Sequence, residues 1–121
     1  MTIRPDANEL LAIARQTLLD ELLPQLPANL RYQALMVANA MAIAGRECVQ
    51  GEPAQAAELQ QMAELLEKAS TPSTDVRQAL CRAIRQGDFD TPGAEQERLL
   101  SALSAITRAR LSISNPKVLG Q

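Results

Sequence analysis

The chain has 121 residues, one domain by size and long enough to bury a single core. Hydrophobic residues make up 46% of it and aromatic ones only 2%, Tyr32 and Phe89, so the core has to be assembled from Leu, Ile, Val, Met and Ala, and the lack of β-branched runs argues against sheets. A net charge of −2, from 12 basic and 14 acidic residues with no basic block, together with the shortage of rings to stack on bases, speaks against a nucleic-acid partner.

The expected fold is all-α: a single helical domain over residues 1–121, built as a bundle of about five helices. Asp6 can cap the first helix, and Glu9 three residues later gives a variant of the capping box. Leu11, Ala14, Leu18 and Leu22 form its apolar stripe, widened by Leu10 and Leu19, and Pro24 and Pro27 stop it. Asn29 is placed to cap a second helix, which runs from Leu30 to Gln50 and ends near Gly51. From Ala34 to Gly45 its only polar residue is Asn39, and a helix that is apolar all round belongs inside a core or a membrane. The run is too short for a bilayer, which takes roughly 20 apolar residues. It reads as the buried central helix of the bundle, and no membrane partner is expected.

Pro53 fits the first turn of a third helix, where its missing N–H costs nothing, with Leu59, Met62, Leu65 and Leu66 on the buried side. The stretch Ser70-Thr71-Pro72-Ser73-Thr74 reads as a loop in which Ser73 or Thr74 caps a fourth helix. Val76, Leu80, Ala83 and Ile84 make the stripe of that helix, and Gly87 suits the left-handed position after its end. Asp88 to Gly93 form a second loop, anchored by Phe89 packing inward. A fifth helix runs from about Ala94 to Ser112, followed by Asn115-Pro116 and a short tail.

Catalytic signals are scarce. There is no histidine, hence neither the commonest general base nor a favoured metal ligand. No Gly-rich phosphate loop, Glu-x-x-His motif or nucleophile elbow occurs, and no carboxylate pair sits on an inward face as general acid and base would. No cofactor or metal is indicated, and a catalytic role is the less favoured reading. Cys48 and Cys81 lack metal-type spacing and read as buried, inert thiols. Without an N-terminal apolar stretch, basic flank and cleavage site, a reduced cytoplasmic setting fits best.

Several polar residues stand on apolar faces. Tyr32, Asn39 and Arg46 lie seven apart and stack on one side of the second helix, with Glu47 about 80° round from Asn39. Arg110 falls only about 20° off the centre of the fifth helix's apolar stripe, which includes Leu99, Leu103 and Ile106. An arginine there must snorkel, bond helix-end carbonyls or find a carboxylate. Its expected partner is Glu47, with Arg46 and Asn39 nearby and Asn115 grouped with them. Such clusters more often fix a fold than bind a ligand, since a buried Asn usually bonds a neighbouring backbone. Guanidinium forks beside Asn and Tyr also suit a carboxylate or phosphate.

Arg4-Pro5-Asp6, Leu30-Arg31-Tyr32-Gln33-Ala34-Leu35, Ala38-Asn39-Ala40, Arg46-Glu47, Arg110-Leu111 and Ser114-Asn115-Pro116 together span nearly the whole chain. In these motifs the chain resembles a small bacterial domain family of unknown function. Members of that family look like companions of acyl-CoA dehydrogenases and of aminoglycoside-phosphotransferase-like kinases, which implies a role in acyl-CoA or fatty-acid catabolism. The chain departs from the pattern at Gln33, where many relatives are expected to carry histidine, and the departure favours binding or scaffolding over catalysis.

Two functional expectations follow. The first is a non-catalytic accessory domain that binds a partner enzyme or a second copy of itself, through exposed parts of helix one or three. A homodimer suits a bundle of this size. The second is a small-ligand protein for an acyl thioester, a phosphorylated intermediate or another anion, with Arg46 and Arg110 as contacts.

Overall fold

The structure, a computed structural model, describes residues 3–66 and 75–120. Among them there are four α-helices and no strand: α1 (Ala7–Thr17), α2 (Ala28–Leu65), α3 (Val76–Arg85) and α4 (Ala94–Ser114). A π-helical turn (Leu18–Leu22) and a 3-10 turn (Leu23–Gln25) follow α1, and a second 3-10 turn (Pro116–Leu119) follows α4. The all-helical expectation is met with four α-helices rather than five, because the expected second and third helices are one. Packing gathers the chain into two compact units, one of Met1–Glu52 with Ile113–Gln121, the other of Pro53–Ser112. The long helix α2 changes unit at Pro53.

Pro53 was expected to open a helix and instead lies inside one. Its ring leaves the carbonyl of Val49 without a helical donor. Val49 and Pro53 are both exposed, so water can reach that carbonyl, and the helix runs on. Nor does Asn29 cap α2, which begins one residue earlier, directly after Pro27. The predicted start of α1 holds: Glu9 N donates to Asp6 Oδ1 at 2.9 Å, and Asp6 N donates to Glu9 Oε1 at 3.3 Å, a complete capping box.

In the first unit α2 meets its neighbours through a narrow seam of small residues. Ala34, Ala38 and Gly45 are buried and fall within about 40° of arc on the helix. A Cβ on Gly45 would come within 3.0 Å of Asn8 Oδ1, so glycine lets α1 approach there. The large apolar side chains lie outside the seam: Leu30, Leu35, Met36 and Val37 are 42 to 49% exposed. The expectation of a buried central helix from Leu30 to Gln50 is therefore corrected. Small residues admit close helix contact but cover only one face, and Leu30, Leu35, Met36 and Val37 stay exposed. No described helix is long and apolar enough to cross a membrane.

The second unit holds a conventional core. Met62 and Leu65 of α2, Leu80 and Ala83 of α3, Phe89, and Leu99 and Ile106 of α4 form one buried cluster. Phe89 packs inward as expected, and Gln96 Nε2 donates to its carbonyl at 3.1 Å, holding the loop against α4. The end of α3 is a Schellman motif, with Asp88 N on Ala83 O and Gly87 N on Ile84 O, both at 3.1 Å. Gly87 takes φ of +87° there, the position read for it in the sequence. The predicted loop containing Ser73 and Thr74 lies outside the described residues. The side chain that caps α3 is Asp75, accepting from Gln78 N at 3.1 Å.

Candidate functional site

The second unit contains a buried carboxylate. Glu58 sits on the inward stripe of α2, four residues before Met62 and seven before Leu65, and only 6% of it is exposed. Arg110 Nε of α4 donates to Glu58 Oε1 at 2.7 Å, and Arg77 of α3 donates to Oε2. Two cations on two different helices thus clamp one anion. The Arg110 hydrogen bond is the largest influence holding the Glu58 carboxyl below its ordinary range. Burial opposes that effect and Arg77 adds to it. The same hydrogen bond raises the Arg110 guanidinium. The carboxylate expected on Arg110 was Glu47, and the one found is Glu58. Arg110 stands where the helical period puts it, on a face that demands a counter-charge, but the sequence offered several acids to meet it.

The first unit has a groove of about 290 Å³ along α1 and α2. Leu11, Ala12, Met41, Ala42, Gly45 and Val49 give it an apolar floor, while Asn8, Arg15, Arg46 and Gln50 supply the polar groups. Arg15 Nε donates to Ala38 O at 3.1 Å, tying α1 to α2. Arg46 Nε donates to Ile113 O at 2.7 Å, tying α2 to the end of α4. Both arginines therefore staple helices together, and both are half-buried.

The other predicted site residues do not converge. Tyr32 is 71% exposed, and Asn39 is exposed rather than buried, so Asn39 is not the buried amide that was expected. Glu47 is exposed, with its carboxylate lying against Gly51 one turn along the helix, where Oε1 would be 2.8 Å from an added Cβ. Asn115 precedes the last 3-10 turn and makes no side-chain capping bond. Cys48 and Cys81, expected to be buried, are exposed free thiols, because they fall outside the inward stripes of α2 and α3. Residues that the sequence reading passed over are Arg15, Glu58 and Arg77. The Met62/Leu65 stripe, extended back one turn, was the available signal for Glu58.

Chemically these groups offer fixed charge rather than a proton to transfer near neutrality. Guanidinium stays protonated and cannot serve as a base. The Glu58 carboxylate is held ionised by two partners, which makes it a poor proton donor near neutrality. No group of His, Cys, Asp and Glu among the described residues is arranged to hold a metal ion. Residues 24–118 match the family described as Domain of unknown function (DUF6285), and the chain belongs to that family. No curated protein and no solved structure gave a significant match to the chain.

Proposed function

We propose that this member of a family of unknown function is a non-catalytic accessory domain that docks a partner protein on the apolar surface of its first unit. The observation that carries this reading is where apolar side chains remain uncovered. Of fourteen large apolar residues that stand exposed among the described ones, eleven belong to the first unit, so the open surface is concentrated there rather than scattered. Met36 stands about 160° from the buried Ala38, and Tyr32 and Asn39 flank it on the same outward side of α2. A ring with a polar tip beside a thioether and an amide is a composition suited to a protein interface. Exposed Leu10 and Ile13 on α1 support including that helix in the docking surface.

The resemblance stated above makes an acyl-CoA dehydrogenase or a phosphotransferase-like kinase the first partners to seek, in acyl-CoA or fatty-acid catabolism. Two unpaired surface thiols favour a reducing cytoplasmic setting. A second copy of the chain is the competing occupant of the same surface. The alternative of an anion or acyl-thioester ligand held by Arg46 and Arg110 has less support, since Arg110 already lies on Glu58.

The test is co-purification of the tagged chain from its native cells beside a Met36→Glu variant, with sedimentation of both at tens of micromolar. Stoichiometric recovery of a dehydrogenase or kinase by the parent chain, lost in the variant, is the expected result. A dimer of the parent chain that Met36→Glu dissociates would assign the surface to a second copy. A monomer that recovers no protein would overturn the docking role.

A further inference from the structure

The groove of the first unit carries positive charge without its complement. Among the described residues that line it, Arg15 and Arg46 are the ionised ones, and none is Asp or Glu. Half-buried charges ordinarily take a counter-charge. Among the described residues neither arginine has a carboxylate partner, and each uses its Nε–H on a backbone carbonyl, Ala38 O and Ile113 O respectively. Acids close in sequence are committed elsewhere: Glu9 lies 3.2 Å from Arg4 and accepts from the Asp6 amide, and Glu47 lies against Gly51.

The carbonyl contacts have a second effect. A guanidinium held at Nε has its plane fixed, so its terminal amino groups are oriented before any ligand arrives and little further freedom is lost on binding. Forked donors of this kind fit the paired oxygens of a carboxylate or phosphate. Leu11, Met41 and Val49 provide apolar wall beside them. The volume, about 290 Å³, lies at the lower end of small-molecule clefts, which span roughly 300–1,000 Å³.

We propose that this groove binds a small amphiphilic anion, its carboxylate or phosphate head on Arg15 and Arg46 and a short alkyl stem against Leu11, Met41 and Val49. The site differs from the earlier pairing of Arg46 with Arg110, and it stands whether or not the outward face of α2 docks a protein. The two arginines then act both as staples and as anion contacts.

The experiment is isothermal titration of the full chain at low salt with hexanoate, hexyl phosphate and inorganic phosphate, with hexyltrimethylammonium as the cationic control. At least one hexyl anion binds saturably and the ammonium does not. Binding weakens by about tenfold or more in Arg15→Gln. Because Arg15 also holds Ala38, that variant could lose its fold, and Ala42→Leu supplies the independent check. It keeps both arginines, uses a good helix former and fills the apolar floor, and it weakens hexyl-anion binding by at least a similar factor. Preference for one hexyl anion over the other identifies the head group and supports the site. The proposal is overturned if neither hexyl anion binds, if the ammonium binds equally, or if Ala42→Leu binds undiminished. Inorganic phosphate binding as tightly as hexyl phosphate would remove the stem from the account.

Discussion

Arg110 Nε meets Glu58 Oε1 at 2.7 Å across 52 positions of sequence, with the glutamate side chain 7% exposed and the arginine side chain 65% exposed. The pair is asymmetric: a buried carboxylate is stabilised by a cation that keeps most of its own hydration. Desolvation therefore falls mainly on one member, and the consequences of removing either side differ. Glu58→Ala exposes no buried charge and should cost about 1.5–3 kcal/mol, the worth of hydrogen bonds to charged groups. Arg77→Ala or Arg110→Ala alone leaves the carboxylate one partner. The double variant leaves it bare and should cost on the order of 3–5 kcal/mol, more than the sum of the singles. Urea unfolding of the four chains checks this, and additive singles would contradict the clamp.

Glu58 also predicts a pH dependence. Its folded carboxyl lies below the ordinary value near 4.5, so the unfolded chain takes up the proton first as pH falls. Its contribution is complete above the ordinary carboxylate range and is lost as pH falls through the lowered folded value. Near neutrality this group imparts no slope. Comparing Glu58→Gln with the parent chain from about pH 3 to about pH 7 should show the stability gap narrowing on the acid side. A gap that stays constant across that span would mean the carboxylate is not held ionised by its arginines.

Pro53 separates two readings of the same segment. If it opened a helix, Pro53→Ala would be neutral or slightly destabilising. Inside a continuous α2, alanine restores the donor to Val49 O and removes the ring clash, so the variant should gain stability, up to about 3 kcal/mol. Thermal and urea unfolding give the sign directly.

Phe89 is the single aromatic in the second unit's core. Phe89→Ala should cost about 3–5 kcal/mol and free the loop that Gln96 holds. Leu100→Ala, a residue 59% exposed on α4, should stay within about 0.5 kcal/mol. Similar losses for both would mean the core is not where the buried cluster places it.

Gly87→Ala forces an L side chain to φ of +87° and brings its Cβ within 3.0 Å of Asp90 Oδ2. A loss of about 1–2 kcal/mol is expected, with Gly87→Asn milder because asparagine tolerates the left-handed region. Both are read by urea midpoint.

Local chemistry in the sequence was a reliable guide here. The Asp6 and Glu9 capping box, the glycine after α3 and the inward Phe89 each depend on residues within a few positions, and each was legible. What failed depended on distant neighbours. Glu58 lies in a run of Ala, Gln and Glu that looks solvated until Arg77 and Arg110 converge on it. Asn39 looked buried because its helix is apolar, yet the seam that buries α2 is made by the smallest residues and leaves the larger ones outside. Hydrophobicity indicates that a surface needs covering; it does not say whether this chain supplies the cover. Arg46 stood out in the sequence by its place on an apolar helix, while Arg15 did not, because a basic residue in the last turn of a helix such as α1 is ordinary.

The two exposed thiols set a condition on every solution experiment with this protein. Cys48 and Cys81 give each molecule two points of covalent attachment, one in each unit. In air, dissolved oxygen takes two electrons and two protons from a pair of thiols to leave a disulfide, and this can link molecules not merely in pairs but in chains, since every linked molecule retains a second reactive group. Such a ladder would mimic self-association in sedimentation and would persist on dilution, unlike a reversible complex. Keeping a reductant present, or replacing both cysteines by serine, turns the measured mass into a statement about the protein's surface rather than about its redox history.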